Sequence, residues 1–313
     1  MKLLITRSMP ETVVRRAMER FDVTWRNRPT PMGPADLTAA LQEYDAVLPT
    51  LGDMLGAGVF GGALRTKILA NFGVGYNHID VAAARAAGVA VTNTPGAVTD
   101  ATADIALTLI LMTARRAGEG ERMLRRGEWT GWHPTQMLGL HVSGKRLGVI
   151  GMGRIGQAIA RRCHFGFGME VVFHNRSAVD PGFPARQVGL EEVLGADVVV
   201  VAVPGGPATK HLLGAAQFAQ MAPHAIFVNI ARGDVVDEAA LVASLKAGQI
   251  AGAGLDVYEF EPRVSPELMA MENVTLLPHL GTAALEVREA MGMMAVDNLI
   301  AWAEGRPLLN PVN

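Results

Sequence analysis

A glycine-rich motif lies near the middle of the chain. Residues 151–156 read G-M-G-R-I-G, after an apolar run and before a helical pattern. Gly151 permits a tight turn, Gly153 lets the backbone approach a pyrophosphate, and Gly156 lets the helix pack closely on the strand. The phosphates then lie at a helix N-terminus, where unpaired N–H groups favour anions. In this strand-to-helix context the motif predicts a dinucleotide site rather than a glycine-rich connector.

The next predicted strand ends in residues that bear on the choice of dinucleotide. It reads His174-Asn175-Arg176-Ser177. An NAD site places Asp or Glu there, about 20 residues beyond the glycines, to hold the ribose 2′-hydroxyl. Asn175 instead removes a charge that would repel a 2′-phosphate, Arg176 can pair with that phosphate, and Ser177 adds a donor. The sequence therefore predicts a preference for NADPH over NADH, the alternative being that Arg176 is only a solvated loop residue.

Polar side chains also follow three apolar runs in the second half of the chain. The segments are Asn229–Gly233, Leu255–Pro262 and Pro278–Gly281. In open parallel sheets, ligands bind in the crevice beyond the carboxyl ends of the strands. We therefore expect these polar groups to line one crevice.

The elements that position these groups are apolar runs alternating with helical patterns. Near-continuous Val, Ile, Leu and Ala runs are typical of parallel strands buried on both faces. They are Arg146–Ile150, Glu170–His174, Asp197–Val203, Ala225–Ile230, Ala253–Val257 and Val274–Leu277. These runs predict a complete nucleotide-binding sheet in the second half of the chain.

The first part of the chain shows the same alternation, with short apolar runs up to about Val91 and helical stretches between them. Turn residues at 93–96 mark the first domain crossing. We therefore predict an α/β protein with two Rossmann-like or flavodoxin-like parallel-sheet domains and a cleft between them. Residues 1–95 with 284–313 form the substrate domain, and residues 96–283 form the dinucleotide domain. The last helical pattern, Ala284–Trp302, returns to the first domain or forms a dimer contact.

Composition excludes several classes of protein. The chain has 313 residues, of which 50% are hydrophobic and 19% charged, a balance that favours packed α/β domains over disorder. Its formal net charge of −2 gives no excess of basic residues, so the sequence does not predict binding to nucleic acid. The one cysteine, Cys163, excludes an intramolecular disulfide and a cysteine-rich metal site, so we expect a reducing cytoplasm and no metal. The apolar runs are too short for a membrane span.

Taken together, these motifs resemble those of the D-2-hydroxyacid dehydrogenase family over nearly the whole chain. The marks are the glycine motif, 228–233 (VNIARG) followed by 236–241 (VDEAAL), 252–257 (GAGLDV), and Pro278-His279. The resemblance implies reduction of a 2-oxo acid by hydride from a nicotinamide coenzyme. It also implies a homodimer.

The resemblance assigns catalytic roles to three matching residues. Arg232 matches the arginine that clamps the substrate carboxylate and polarises its carbonyl, a task suited to a guanidinium. His279 matches the general acid that protonates the carbonyl oxygen, and it also contacts the substrate. Glu261 matches the carboxylate that holds the imidazole, although Glu259 lies two residues away and could be mistaken for it. The other histidines are interpreted as ordinary core or surface residues.

Further contacts are implied with the substrate and the coenzyme. The loop 71–76 resembles the family's substrate loop, in which the N–H groups of Val74 and Gly75 receive the carboxylate. Asp256 matches the residue that meets the nicotinamide carboxamide, its alternative being a helix or turn cap. The remaining implied coenzyme contacts are Thr102, Arg154, Ile155, Thr209 and Ile230.

The function predicted from the sequence is therefore the NADPH-dependent reduction of a small 2-oxo acid such as glyoxylate or hydroxypyruvate. The product would be the D-2-hydroxy acid or achiral glycolate. Two alternatives remain: a dinucleotide-sensing interaction protein, as among corepressors of this fold, and a dehydrogenase for another 2-hydroxy acid or phosphite. The chain departs from many relatives at Pro204–Lys210, where they carry a Leu-Thr-Pro pattern, and this affects the geometry expected at Thr209.

Overall fold

The computed structural model describes residues 1–313 and divides into two compact units. Unit 1 comprises Met1–Val98 and Thr282–Asn313, and unit 2 comprises Thr99–Gly281. None of the helices combines the length and apolar character that crossing a bilayer requires. Each unit contains one parallel sheet, so the predicted α/β class with two parallel-sheet domains is confirmed.

Unit 1 is built on a five-stranded parallel sheet in the order β2-β1-β3-β4-β5, the flavodoxin-like arrangement. Its strands are β1 (Lys2–Ile5), β2 (Asp22–Trp25), β3 (Ala46–Leu48), β4 (Ile68–Ala70) and β5 (Ala90–Thr92). Its first helices are α1 (Glu11–Met18), α2 (Pro34–Glu43) and α3 (Val81–Ala86), with a 3₁₀ turn at Ala57–Phe60. Strand β2 did not stand out in the sequence, because it is an edge strand whose residues alternate between exposed and half-buried.

Unit 2 is built on a seven-stranded parallel sheet in the order β12-β11-β10-β9-β6-β7-β8. Its strands are β6 (Arg146–Ile150), β7 (Glu170–His174), β8 (Arg186–Gln187), β9 (Val198–Val201), β10 (Ile226–Asn229), β11 (Gly252–Leu255) and β12 (Val274–Leu276). The sequence predicted six of these strands and missed β8, a two-residue exposed edge strand. Strand order reverses between β6 and β9, and ligands bind at such a switch point.

Helices cover the sheet of unit 2, and one further helix completes unit 1. The helices of unit 2 are α4 (Thr99–Ala114), α5 (Ala117–Arg125), α6 (Arg154–Phe167), α7 (Leu190–Leu194), α8 (Ala215–Phe218), α9 (Glu238–Lys246) and α10 (Pro266–Ala270). The last helix, α11 (Leu285–Ala303), packs Val296 and Leu299 into the same core as Leu3 and Ile5 of β1. Of the two alternatives for this helix, the structure therefore shows the return to the first sheet.

Candidate active site

His279 lies directly beyond β12 in a turn held by Asp256. Its φ of 56° is in the left-handed region that non-glycine residues rarely occupy. The N–H of His279 donates to the Asp256 carbonyl at 3.0 Å. The Asp256 carboxylate accepts the N–H groups of Leu280 and Gly281 at 2.6 and 2.8 Å. These three hydrogen bonds hold the turn in its unusual conformation and fix the backbone position from which the imidazole extends.

Asp256 is 1% exposed, and both of its carboxylate oxygens are engaged in this turn. Burial raises the pKa of Asp256 above its ordinary value, although the Leu280 N–H, His279 and the Gly281 N–H act in the opposite direction. The structure thus shows the turn cap that was the alternative to a nicotinamide contact. A contact with the carboxamide stays a prediction.

Glu261, and not Glu259, is the carboxylate beside His279. The distance from His279 Nδ1 to Glu261 Oε2 is 3.0 Å, and about a third of each side chain is exposed. Burial alone would raise the pKa of Glu261, but the hydrogen bond and charge of His279, the N–H of Tyr258 and the charge of Arg232 outweigh it. The pKa of Glu261 is therefore lowered, so the group is a carboxylate at neutral pH.

Arg232 follows β10 and is held by a turn at the strand's end. The Asn229 amide donates to the Arg232 carbonyl and accepts the N–H of Ala231, both at 3.0 Å. Burial lowers the pKa of Arg232, while Glu261 and Asp234 act to raise it, and a guanidinium remains charged at neutral pH. Arg232, Glu261 and His279 come from three separate strand ends, and the structure brings Arg232 and His279 each within electrostatic reach of Glu261.

The glycine motif forms a cradle that fits a dinucleotide pyrophosphate. Gly151 has a φ of 100°, and a Cβ there would lie 2.8 Å from the Ala202 carbonyl oxygen, across the switch point. A Cβ on Gly156 would overlap the Gly151 carbonyl oxygen, whereas one on Gly153 would meet nothing within 4 Å. The N–H groups of residues 153–156 at the start of α6 donate to no protein acceptor. The motif thus leaves open space in front of free donors, as phosphate binding requires.

The tip of β7 carries an unpaired arginine. Asn175 holds the turn, since its Oδ1 accepts the Met152 N–H at 3.3 Å and its Nδ2 donates to the Ser177 carbonyl at 3.0 Å. Arg176 and Ser177 are exposed. The Arg176 guanidinium makes no ion pair or hydrogen bond within the protein, and the same holds for Arg154 at the start of α6. These residues therefore leave positive charge free to meet phosphate groups.

Three other predicted coenzyme contacts are engaged within unit 2. The Thr209 hydroxyl donates to the Pro204 carbonyl at 2.6 Å, and the Thr102 hydroxyl donates to the Gly281 carbonyl at 3.2 Å. Ile230 is buried at the end of β10. The Thr209 side chain thus stabilises its own loop, and the Thr102 side chain joins α4 to the turn beyond β12. Their contacts with a coenzyme stay predictions.

The predicted substrate loop lies in unit 1, directly beyond β4. The Asn71 amide donates to the carbonyls of Gly73 and Gly75 at 3.0 Å, and the Asn93 amide donates to the Val74 carbonyl at 2.8 Å. The N–H groups of Val74 and Gly75 donate to no protein acceptor. Asn71 and Asn93 were not assigned roles from the sequence, although an asparagine beside a glycine-rich turn is a recognisable signal.

Comparisons with known proteins identify a matching family model and similar chains. The family model described as "D-isomer specific 2-hydroxyacid dehydrogenase, NAD binding domain" matches residues 107–281. A glyoxylate reductase of Thermococcus onnurineus is 43% identical over 312 residues, covering 97% of this chain and 93% of that protein.

Solved structures are similar along both units. A protein of Thermus thermophilus has a TM-score of 0.94 and 42% identity, with 100% of each chain covered. An NADPH-dependent glyoxylate/hydroxypyruvate reductase of Sinorhizobium meliloti, in complex with NADP and malonate, has a TM-score of 0.89 and 36% identity. In that pair 99% of this chain and 96% of the other are covered.

Proposed function

This chain belongs to the D-isomer specific 2-hydroxyacid dehydrogenase family and is an NAD(P)-dependent oxidoreductase; from that premise we propose that it reduces glyoxylate or hydroxypyruvate with NADPH, with His279 as the proton donor. The carbonyl carbon gains a hydride and the carbonyl oxygen gains a proton, so the 2-oxo acid becomes a 2-hydroxy acid. The proposal is carried by the 3.0 Å contact between His279 and Glu261, with Arg232 beside it.

The proton comes from the ring nitrogen of His279 that faces away from Glu261. Because Nδ1 donates its N–H to the carboxylate, Nε2 is the atom that remains to protonate a substrate oxygen. The carboxylate keeps the ring in one orientation and fixes which nitrogen faces the substrate. General acid catalysis of this kind contributes on the order of 10²–10⁴ in rate.

Arg232 binds and polarises the 2-oxo acid. A planar guanidinium can donate two parallel hydrogen bonds to a carboxylate or bridge a carboxylate and the neighbouring carbonyl. Its positive charge also adds to the effect of the His279 hydrogen bond and the Tyr258 N–H in lowering the pKa of Glu261. The same side chain therefore holds the substrate and supports the residue that orients His279.

A nicotinamide dinucleotide supplies the hydride when it is bound. Residues 153–156 offer free N–H groups to its pyrophosphate. At the ribose end, Asn175 stands where an NAD site carries an acid, and the unpaired Arg176 can meet a 2′-phosphate. Because Asn175 does not repel a 2′-phosphate and Arg176 is free to bind it, these residues support NADPH as the preferred coenzyme.

The substrate class is supported by the names of relatives and by the loop in unit 1. The Thermococcus onnurineus relative is a glyoxylate reductase, and the Sinorhizobium meliloti relative is a glyoxylate/hydroxypyruvate reductase. The free N–H groups of Val74 and Gly75 form a nest of the kind that receives a carboxylate. Both substrates are small 2-oxo acids with one carboxylate, which suits this nest.

Steady-state kinetics with a panel of 2-oxo acids tests the proposal. Purified protein is incubated with glyoxylate, hydroxypyruvate, pyruvate or 2-oxoglutarate, each with NADPH and with NADH, and oxidation of the coenzyme is followed by absorbance. We expect the highest kcat/KM with glyoxylate or hydroxypyruvate and NADPH. Tight NADPH binding without turnover of any of these acids would instead support a dinucleotide-sensing protein and refute the proposal.

A further inference from the structure

A second pair of histidine and carboxylate lies in unit 2, formed by two residues to which the reaction assigns no role. His211 Nε2 and Glu259 Oε1 are 2.6 Å apart, and the side chains are 40% and 12% exposed. The second oxygen of Glu259 accepts the N–H of Glu238, and the N–H of Glu259 donates to the Glu238 carboxylate, both at 3.1 Å. Glu259 is thus anchored to the start of α9, and its remaining oxygen is used for His211.

This bond joins two segments that are far apart in sequence. His211 ends the loop that follows β9, residues 204–211, which we call the β9 loop. Glu259 lies in residues 257–261 beyond β11, which we call the carboxylate segment because Glu261 ends it. The N–H of His211 also donates to the Asp234 carbonyl at 2.8 Å, so the β9 loop is tied at its end to the turn that follows Arg232.

Both segments pack against the turn that carries Arg232. A Cβ on Gly205 would lie 2.6 Å from Arg232 Cγ, so the β9 loop lies directly on the stem of that side chain. On the other side, a Cβ on Gly233 would overlap the carbonyl of Tyr258 and the N–H of Glu259. Arg232 and Gly233 are therefore held between the β9 loop and the carboxylate segment.

We propose that His211 and Glu259 are positioning residues, whose bond closes these two segments around Arg232 and fixes Arg232 relative to Glu261. The inference rests on the function proposed above, since it assigns both segments a part in that reaction. Residue 258 links the two carboxylates, because the N–H of Tyr258 donates to Glu261 Oε1 at 3.0 Å. A shift of the carboxylate segment therefore moves Glu261 away from His279 at the same time as it releases Arg232.

The chain offers a matched control for this bond. His224 Nε2 and Asp197 Oδ1 are 2.7 Å apart, with side chains 57% and 20% exposed. This pair lies at the amino ends of β9 and β10, whereas His211 lies beyond their carboxyl ends. His211→Ala and His224→Ala each remove an imidazole that is bonded to a carboxylate in unit 2. Only His211→Ala removes a bond between the segments that surround Arg232.

The experiment compares kcat and KM for glyoxylate and NADPH in the wild type, His211→Ala, His211→Gln and His224→Ala. We expect kcat/KM for glyoxylate to fall between tenfold and a hundredfold in His211→Ala, because a displacement of about 1 Å at a reacting site costs up to 10²-fold. His224→Ala should retain wild-type kinetics. His211→Gln should recover most of the loss, since its amide can still donate to Glu259.

Equal kinetics in His211→Ala and His224→Ala, or no recovery in His211→Gln, would overturn the inference while leaving the proposed function intact. If the wild type reduces none of the acids, amide hydrogen exchange decides the structural part independently. Faster exchange at residues 232–235 and 257–261 in His211→Ala than in His224→Ala supports the positioning role. Unchanged exchange there overturns it.

Discussion

Arg176 provides the sharpest test of the coenzyme preference, because its side chain is exposed and makes no ion pair in the protein. Arg176→Ala should therefore leave the fold unchanged and act only on the bound 2′-phosphate. A hydrogen bond to a charged group contributes about 1.5–3 kcal/mol, and at an exposed site solvent screening reduces this to about 1–2 kcal/mol. At about 1.4 kcal/mol per tenfold, the KM for NADPH should rise roughly 5- to 30-fold.

The assay measures KM and kcat with NADPH and with NADH at low and moderate ionic strength. The constants for NADH should not change, because that coenzyme has no 2′-phosphate. Arg115→Ala is the matched control, since Arg115 is also exposed and forms no ion pair, so it corrects for the loss of one positive charge. An unchanged KM for NADPH would show that Arg176 is only a solvated loop residue. An equal loss with NADH would show that it acts on a group that both coenzymes share, and would equally refute the 2′-phosphate contact.

Further variants test the rest of the site. His279→Ala should lower turnover by on the order of 10²–10⁴ while NADPH still binds, as fluorescence titration can show; undiminished turnover contradicts the role. Because folding lowers the pKa of Glu261, its stabilising contribution is present at neutral pH and is lost as the pH falls through the folded pKa, in the acid range. The melting temperature of Glu261→Gln should thus be lower than that of the wild type at neutral pH, and the two should become equal in acid. A difference in melting temperature that persists in acid argues against this. Gly156→Ala should lower the free energy of unfolding measured in urea by about 1–3 kcal/mol, because its Cβ would overlap the Gly151 carbonyl oxygen. Gly153→Ala should weaken only dinucleotide binding, since a Cβ there meets nothing within 4 Å. Equal stabilities of the two variants would refute this distinction. Burial raises the pKa of the Cys163 thiol to about 12, so iodoacetamide should modify it only after unfolding; rapid modification of the native protein would contradict this burial.

Much of the fold could be predicted from the sequence because buried parallel strands are apolar on both faces. The runs that became β6, β7, β10 and β12 were recognisable for that reason, as was the glycine motif, whose function depends on local backbone freedom. The edge strands β2 and β8 were not recognisable. Strand β2 has exposed and half-buried residues in alternation, and β8 has only two residues, both exposed, so no continuous apolar run marks either strand. The hydrophobic pattern of the sequence therefore reveals a strand that is buried on both faces, but not one that is only partly buried.

The contacts within the site were decided by tertiary structure. Spacing alone could not tell Glu259 from Glu261, since two residues on a non-helical segment can face different partners. The fold turns Glu261 toward His279 and Glu259 toward His211. It likewise engages the Asp256 carboxylate in a turn of residues that lie more than 20 positions away. The amino-acid sequence specifies which chemical groups are present and which strands carry them, but hydrogen bonds between distant segments depend on how strand ends meet, and only packing in three dimensions sets that.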